Sequence, residues 1–280
     1  MKKLLVVDGS NLLFQMFYGM PARIAGKDGR AVHGTVGFVG ALLKIIRMTA
    51  PTHICVLFDG EGDSERRKIN PDYKANREDY SDKPEEEIPF SQLPDIYAAL
   101  DFLGIRRYET HGCEADDLIA AYAKGVDDDT ELVISSFDSD FFQLVSSNVS
   151  VLRYRGDSSI LCTPEYVEAR FGVPPSQYAD FKSLVGDTAD NIRGADKIGP
   201  KTAAELLCKF GDLEGIISSA DNIKKPSVRA SVLSYRDRLL SNRTIIRLSG
   251  EAELPYALCE LEYRFGGQTT RRVLEAIGVF

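Results

Sequence analysis

Histidine is scarce in this sequence, and its cysteines do not occur in pairs. The 280 residues include three histidines, which lie far apart at His33, His53 and His111, and five cysteines, which form no CxxC pair. Zinc sites need several such ligands at close spacing, and disulfide frameworks favour an even number of cysteines. The sequence therefore supports neither a zinc site nor a disulfide-stabilised fold.

Long apolar runs are also missing. The opening segment MKKLLVV resembles the start of a secretory signal, but its apolar run stops at Asp8, after too few residues for a signal core. No later run could cross a bilayer, which takes about 20 apolar residues. With 44% hydrophobic and 27% charged residues, the chain has the composition of a soluble globular protein with one large core and a smaller subdomain. We therefore expect a cytoplasmic protein without a membrane segment.

A net positive charge is the third feature that the sequence lacks. The formal charge of −8 argues, by itself, against a nucleic-acid binder, because phosphate backbones favour lysine and arginine on the contacting surface. The distribution is more informative, because residues 224–247 hold seven basic residues against one acidic residue, a local net charge of +6. Much of the acidity elsewhere falls in a few short motifs. A basic surface for nucleic acid is therefore compatible with the acidic total.

Three apolar segments rich in β-formers each run into an acidic residue. KLLVVD ends at Asp8, HICVLFD ends at Asp59, and ELVISSFDSD ends at Asp138 and Asp140. Short continuous apolar runs of this kind are typical of buried parallel strands. Helical patterns lie between them, over residues 34–49, 91–103 and 114–124. This alternation predicts an α/β fold with a parallel sheet and right-handed crossovers, in which the acids at the strand ends face one crevice.

The chain divides into segments of different composition. Within a core predicted at residues 1–180, residues 61–90 are dense in charge and lack an apolar period, so we expect a partly helical excursion over the strand ends. Residues 181–250 are helical and basic in pattern, and residues 251–280 contain a predicted strand and a final helix that pack on the core. The turn GADKIGPKT nearly matches the phosphate-binding loop GxxxxGK[ST], but Pro200 interrupts the motif and we expect no strand before it, which argues against nucleotide binding.

Nine acidic residues fall at predicted strand ends or in short acidic motifs: Asp8, Asp59, Glu114, Asp116, Asp117, Asp138, Asp140, Asp187 and Asp190. Hard divalent cations such as Mg²⁺ take oxygen ligands, usually one or two carboxylates each. So many convergent carboxylates would repel one another strongly unless cations lie between them. Two cations about 4 Å apart could activate a water molecule and neutralise a phosphodiester during in-line displacement. The acids therefore predict a two-metal phosphodiesterase site.

A simpler explanation exists for each acid taken alone. An aspartate after a strand is often a turn former or a helix cap, and this is the more frequent role for a residue such as Asp8 or Asp59. Residues 114–117 fall in a predicted first helical turn, where acids favour the helix dipole. Capping gives no reason for all of these side chains to meet in one crevice, however, so their joint placement favours the metal site.

The motifs taken together resemble one family, the 5′-nuclease domain of bacterial DNA polymerase I and the related stand-alone flap endonucleases. The resemblance covers about residues 1–250 and is carried, in order, by VVDGSN, FDG, YKANR, GCEADD, SSFDSDFFQLV and VGDTADNIRGADKIGPKTAAELL. It implies a PIN-like parallel sheet flanked by helices, with a helical arch at about 61–90 and a DNA-binding helix-turn-helix element of the helix-hairpin-helix type. Because no polymerase sequence follows, we expect the free-standing form.

The resemblance also implies roles for the acids. One metal ion would be held mainly by Asp8, Asp59, Glu114 and Asp116, and the other mainly by Asp138, Asp140, Asp187 and Asp190, with Mg²⁺ or Mn²⁺ as the ions. Asp117 would act directly or through a water on the metal. Some relatives have lost second-metal ligands, whereas every one of these positions is acidic here, which favours an active enzyme.

Two groups of residues match the parts of the family that contact DNA. Lys74 and Arg77 match a pair at the base of the arch, where they would stabilise charge on the scissile phosphate, although a solvated loop is the simpler interpretation without that match. Residues 85–87, all glutamate, make the arch more acidic than a passage for a DNA strand should be. The helix-turn-helix element, which often holds K⁺ and grips phosphates without reading sequence, corresponds to Arg193, Gly194, Lys197, Gly199, Lys201 and Thr202.

These features predict a structure-selective 5′-nuclease, both exonuclease and flap endonuclease. It would act as a monomer on branched, flapped or nicked DNA, including RNA–DNA primers, and leave 5′-phosphate and 3′-hydroxyl ends. A DNA-structure-binding module with weak catalysis is one alternative, favoured only by the arch acids. A PIN-class ribonuclease is another, although such domains are usually shorter and lack the element at 194–201. A phosphatase of the haloacid dehalogenase type would need DxD after its early strand, where Asp8 is followed by Gly9 and Ser10.

Overall fold

A six-stranded sheet forms the centre of the computed structural model, which describes residues 2–60 and 65–280. The strand order is β3-β2-β1-β4-β5-β6, and all neighbours are parallel except the edge strand β6, which is antiparallel to β5. The strands are β1 (Lys2–Asp8), β2 (His53–Phe58), β3 (Arg106–Glu109), β4 (Thr130–Ser135), β5 (Val149–Arg153) and β6 (Ile160–Cys162). The predicted α/β fold with a parallel sheet is thus confirmed.

Helices cover both faces of this sheet and continue beyond it. They are α1 (Gly9–Gly19), α2 (His33–Thr49), α3 (Glu65–Ile69), α4 (Leu93–Leu103), α5 (Ala115–Gly125), α6 (Pro164–Phe171), α7 (Tyr178–Val185), α8 (Pro200–Phe210), α9 (Leu213–Ser218), α10 (Pro226–Ser234), α11 (Arg236–Ile246) and α12 (Thr270–Ala276). None of the described helices is long and apolar enough to cross a membrane.

Alternate residues of each inner strand enter different hydrophobic cores. Leu4 and Val6 of β1 pack with α5 and the helices from α6 to α11, whereas Leu5 and Val7 pack with α1, α2, α4 and α12. Side chains of successive strand residues point to opposite faces, so a strand that is apolar at every position must be covered on both sides. The continuous apolar runs of the sequence have this physical origin.

The strand order changes direction beside β1. The chain runs from β1 outward to β2 and β3, and then returns to β4, which pairs with β1 on its other edge. Ligands of open α/β sheets lie outside the carboxyl ends of the strands at such a switch point. Asp8 is the last residue of β1, and Asp138 lies three residues after β4 ends at Ser135, so both are at this position.

A tight hairpin separates α7 from α8. Its two short strands, β7 (Gly186–Asp187) and β8 (Ile192–Arg193), are antiparallel. The side-chain amide of Asn242 donates to the carbonyl oxygens of Ser183 and Arg193, at 3.2 and 2.9 Å, and so fixes the hairpin against α11. The expectation that no strand precedes the turn at 194–201 was therefore wrong, because a two-residue strand pairs locally there, outside the parallel sheet. Pro200 is still the first residue of α8 and interrupts the nucleotide-loop motif.

Two other predicted segments, the arch and the C-terminal strand, contain little regular secondary structure. The predicted arch begins outside the described residues at 61–64, and its described part contains α3, turns and two 3₁₀ helices at Glu85–Glu87 and Pro89–Gln92. The strand predicted within 251–280 is wrong for the described structure, which has there only an isolated bridge between Glu262 and His53. From Cys55 onward, β2 pairs with β3 along this edge. The C-terminal segment can therefore pair with β2 at one residue, His53.

Candidate functional site

The carboxylate of Asp8 lies at the end of β1, where the chain turns into α1. It accepts a hydrogen bond from the backbone N–H of Asn11 at 2.9 Å, which caps α1, and another from Ser136 Oγ at 2.8 Å. The side chain is buried, and burial together with the charge of Asp59 raises the pKa of Asp8 to about 7. Asp8 is therefore both a helix cap and a carboxylate held close to other carboxylates.

Further acids, which with Asp8 make up the first of two groups, surround the start of α5. Asp59 Oδ1 accepts a hydrogen bond from the backbone N–H of Ala115 at 2.9 Å, which ties the end of β2 to this helix. Glu114 is the N-cap, and its backbone N–H donates to Asp117 Oδ2 at 3.3 Å. Burial, and then the charge of Asp138, raises the pKa of Asp116 well above its usual value, with Asp59 and Asp8 adding to the effect. Asp116 therefore faces the strand ends.

The remaining acids form a compact group where the hairpin meets the segment after β4. Carboxylate oxygens of Asp140, Asp187 and Asp190 all lie within 4.8 Å of one another. Asp138 Oδ1 accepts from the backbone N–H of Asp140 at 2.8 Å, and Asp187 Oδ1 accepts from that of Ala189 at 2.9 Å. Burial and the charge of Asp138 raise the pKa of Asp140 to about 8, and burial raises that of Asp190 as well.

Asp138 joins the two groups into one site. Its charge raises the pKa of Asp8 and Asp116 on one side and of Asp140 and Asp190 on the other. Raised pKa values in buried carboxyls mean that the charged forms lack sufficient compensation from the protein. The buried Asp140 Oδ1 also has no hydrogen-bond donor within the described part of the chain. A set of carboxylate oxygens of this kind fits hard cations, which supply the missing positive charge.

Lys74 lies within this acidic site, which we call the pocket. Its backbone has a positive φ of 55°, and its N–H donates to the carbonyl oxygen of Asp190 at 3.0 Å. Its ammonium group is buried and lies 2.6 Å from Glu114 Oε2. Burial lowers the pKa of Lys74, but the carboxylates of Asp116 and Glu114 outweigh that effect and raise it. Lys74 is therefore a fixed cation between the two groups of acids.

Arg77 lies nearer to solvent than Lys74. Its side chain is 55% exposed, and its guanidinium lies 3.4 Å from Asp190 Oδ1. This is the one ion pair of Arg77 among the described residues, and it leaves most of the five guanidinium N–H donors available to an anion. Arg77 therefore sits at the rim of the pocket, with its charge facing outward.

Arg66, which no sequence motif distinguishes, forms ion pairs with two of the predicted acids. Its guanidinium donates to both carboxylate oxygens of Asp117, at 3.2 and 2.6 Å, and lies 3.1 Å from Glu114 Oε2. It also donates to the carbonyl oxygen of Ile245 at 2.9 Å. Arg66 stands in the run ERRK, where nothing local distinguishes it from Arg67. The carboxylate of Asp117 is consequently turned toward Arg66.

Lys182 is the second residue that sequence reasoning missed. It lies in the last turn of α7, is buried, and has its ammonium group in contact with Asp187 Oδ2 and 3.4 Å from Asp140 Oδ1. It also donates to Ser139 Oγ at 3.1 Å. The one available signal was a lysine in the otherwise apolar stretch FKSLV just before the acidic motif VGDTAD.

The predicted DNA-binding turn runs from the end of the hairpin into the start of α8. Gly194 is buried, and a Cβ added there would lie 2.4 Å from the carbonyl carbon of Val185, so the fold itself requires glycine. Gly199 is the exposed N-cap of α8, and a Cβ there would meet no atom of the described residues within 4 Å. Lys197 has a φ of 66°, and the turn also carries the exposed residues Arg193 and Lys201 and the half-buried Thr202.

Two family models match the sequence in succession. They are the N-terminal resolvase-like domain of 5′-3′ exonucleases, over residues 3–172, and the 5′-3′ exonuclease C-terminal SAM fold, over residues 173–267. DNA polymerase I of Rhizobium leguminosarum is 36% identical over 259 residues, which are 90% of this chain and 25% of the polymerase. DNA polymerase I of Bacillus subtilis is 31% identical over 266 residues, which are 94% of this chain and 30% of the polymerase. The chain thus spans 25–30% of the length of these relatives.

A solved structure has the same fold over the whole chain. It is the bacteriophage T5 flap endonuclease in a pseudo-enzyme–product complex with DNA and metal ions, with a TM-score of 0.72, 23% identity and 99% of each chain covered. The likeness confirms the fold class expected from the sequence motifs, a resolvase-like α/β domain followed by a helical domain.

Proposed function

Because this chain belongs to the 5′-3′ exonuclease family, we propose that it is a structure-selective 5′-nuclease that hydrolyses DNA phosphodiesters with two divalent cations. The observation that carries the proposal is the convergence of carboxylates from distant segments on the ends of β1, β2 and β4, with Asp138 between the two groups. The proposed products are a 5′-phosphate and a 3′-hydroxyl end. Acting alone as a monomer, the enzyme would accept flapped and nicked DNA and RNA–DNA primers.

We assign Mg²⁺ or Mn²⁺ to the two groups of acids. One cation is held mainly by Asp8, Asp59, Glu114 and Asp116, and the other mainly by Asp138, Asp140, Asp187 and Asp190. When bound, the two cations supply activation of water and neutralisation of charge on the phosphodiester. The raised pKa values of the buried Asp8 and Asp140 support this assignment, because the protein compensates their charges only in part and divalent ions would stabilise both anions.

Lys74 and Arg77 are our candidates for contact with the scissile phosphate. Lys74 supplies a fixed positive charge at the floor of the pocket, and Arg77 supplies a guanidinium at its rim. Fixed donors stabilise charge that develops in the transition state without further reorganisation. For Asp117 we propose an indirect role, because its carboxylate binds Arg66 and caps α5, which holds Glu114 and Asp116 toward the pocket.

We propose that duplex DNA is held by the turn at 194–201 and the start of α8. The open space around Gly199 allows a phosphate to approach the backbone N–H groups at the helix N-terminus. Lys197 and Lys201 add positive charge without hydrogen bonds to bases. This duplex-binding surface, the duplex grip, would therefore bind DNA independently of its base sequence. A K⁺ ion at this turn is part of the same proposal.

The direct test is a cleavage assay on matched 5′-labelled substrates: a flap, a nicked duplex, a single strand and the same strand as RNA. We expect Mg²⁺ or Mn²⁺ to support cleavage of the flap and the nick, EDTA to stop it, and the single strands to be poorer substrates. A flap that is bound but stays uncut under these conditions would favour a DNA-structure-binding module. Preferential cleavage of the RNA strand would favour a ribonuclease.

The proposed duplex grip is tested by Lys201→Ala. We expect duplex affinity to fall by roughly three- to tenfold and the slope of log K against log salt to decrease by about 0.9, because one phosphate contact is lost. Lys44→Ala is the matched control, since Lys44 is an exposed lysine of α2 on the other face of the sheet. Equal effects of both substitutions, measured by fluorescence anisotropy at several salt concentrations, would show that only total charge matters.

A further inference from the structure

The group formed by Asp140, Asp187 and Asp190 contains a cation of its own. Lys182 Nζ contacts Asp187 Oδ2, lies 3.4 Å from Asp140 Oδ1 and donates to Ser139 Oγ at 3.1 Å. The side chain is 9% exposed, so its charge is compensated by these acids rather than by water. In the other group, the ion pairs of Lys74 and Arg66 are with Glu114. Within the described residues, no basic side chain forms an ion pair with Asp8, Asp59 or Asp116 of that group, so three of its four carboxylates lack a direct cationic partner.

We propose that Lys182 is a positioning residue, a resident counter-cation that holds the second group of carboxylates in place when no metal is bound and weakens binding of the second divalent ion. An ammonium in contact with two of the carboxylates neutralises part of the charge that attracts a cation. A divalent ion that enters must displace this ammonium or bind beside a like charge, and both alternatives reduce its affinity. The two cations of the proposed function would therefore bind in sequence. The first would be the one at Asp8, Asp59, Glu114 and Asp116, where three of the four carboxylates have no ion pair among the described residues.

The position of Lys182 in the fold supports this role. It projects from α7, whose next residues lead through Gly186 into the hairpin that carries Asp187 and Asp190. Its contacts with Ser139 and Asp140 join this helix to the segment that follows β4. The lysine thus connects the two parts of the chain that supply the second group of carboxylates, and a metal ion would make the same connection.

The test measures metal binding rather than cleavage, because it must separate this inference from the proposed function on which it rests. Ca²⁺ binding to the full chain is followed by calorimetry in the starting protein, in Lys182→Met and in Lys182→Arg. We expect Lys182→Met to bind the second ion at least about tenfold more tightly, since the like charge is gone. Lys182→Arg keeps the charge and should keep the weaker second binding. In EDTA the Tm of Lys182→Met should fall, and Ca²⁺ should raise it more than in the starting protein.

Several outcomes would overturn the inference. If the starting protein binds two Ca²⁺ ions and Lys182→Met leaves the second affinity unchanged or lowers it, the lysine is only structural, while the two-metal proposal stands. If neither the starting protein nor Lys182→Met binds two ions, both proposals fail together. Should Lys182→Met not fold, Lys182→Gln provides a second uncharged variant that can still donate to Asp187. In the starting protein itself, equal affinities for the two ions would also contradict the inference.

Discussion

Replacing Asp138 with asparagine will reduce cleavage of a flap substrate by roughly a thousandfold or more, because it removes a proposed ligand of the second metal ion and a negative charge that acts on both metal-binding groups. Asp138 is the acid whose charge acts on Asp8 and Asp116 as well as on Asp140 and Asp190. The amide is nearly isosteric and can still accept the hydrogen bond from the backbone N–H of Asp140. The loss should therefore come from charge rather than from a change of fold.

Single-turnover cleavage in Mg²⁺, with DNA binding measured separately in Ca²⁺, checks this expectation. Asp138→Ala and Asp187→Ala should also abolish cleavage and leave binding of the substrate nearly intact, because the proposed duplex grip lies at α8. Glu168→Gln is the matched control, since it removes a negative charge from an exposed position on α6. Full Mg²⁺-dependent activity in either aspartate variant would refute the assignment of these residues to metal.

The sequence predicted the parts of the site that depend on local pattern. Each of β1, β2 and β4 is a short apolar run, and parallel strands place their carboxyl ends at one edge of a sheet. Asp8, Asp59 and Asp138 could therefore be brought together from the pattern alone. The strand order adds the reason, since β1 and β4 are neighbours at the point where the order reverses.

The contacts that the sequence did not predict are those between distant segments. Arg66 reaches Asp117 across 51 positions of the chain, and Lys182 reaches Asp140 from another helix. Each is one basic residue among many, and only the folded chain distinguishes it. The predicted C-terminal strand fails for a related reason, because pairing depends on whether a strand edge is free, and β3 already occupies that of β2.

Helix capping and a metal site, which began as competing explanations for the acids, are compatible in this structure. Asp8 caps α1, and Asp59 and Asp117 accept hydrogen bonds from backbone N–H groups at the start of α5, yet both helices begin at the same acidic site. A carboxylate that caps a helix has one oxygen occupied by a backbone N–H, and its orientation is thereby fixed. The caps therefore contribute to the site by holding carboxylates close together against their mutual repulsion.

That repulsion leads to the other large effect, on stability. Burial and neighbouring carboxylates raise the pKa of Asp8 to about 7 and of Asp140 to about 8, and the pKa values of Asp116 and Asp190 are also raised. Between the ordinary pKa of an aspartate and these values, the folded protein binds more protons than the unfolded chain. The free energy of unfolding of the metal-free protein must then fall as the pH rises from about 4 to about 8. The expected loss is several kcal/mol, since each pKa unit corresponds to about 1.4 kcal/mol.

Divalent ions should reverse this loss, because they bind the ionised carboxylates of the folded state. We expect the difference in Tm between Ca²⁺ and EDTA to grow from pH 5 to pH 8 and to reach on the order of 10 °C. Burial lowers the pKa of His33 and of His53, which affects stability in the opposite direction, but this contribution is equal with and without Ca²⁺ and cancels in the difference.

Asp8→Asn should raise the Tm in EDTA at pH 8, because it removes a buried charge, and should reduce the stabilisation by Ca²⁺. Glu168→Gln, which removes an exposed charge from α6, should change neither quantity. Thermal unfolding followed by circular dichroism at each pH gives the Tm in EDTA and its increase in Ca²⁺ for the starting protein and both variants. A Ca²⁺ effect that does not depend on pH, or an Asp8→Asn protein that is less stable in EDTA at pH 8, would mean that these carboxylates do not repel one another in a shared pocket.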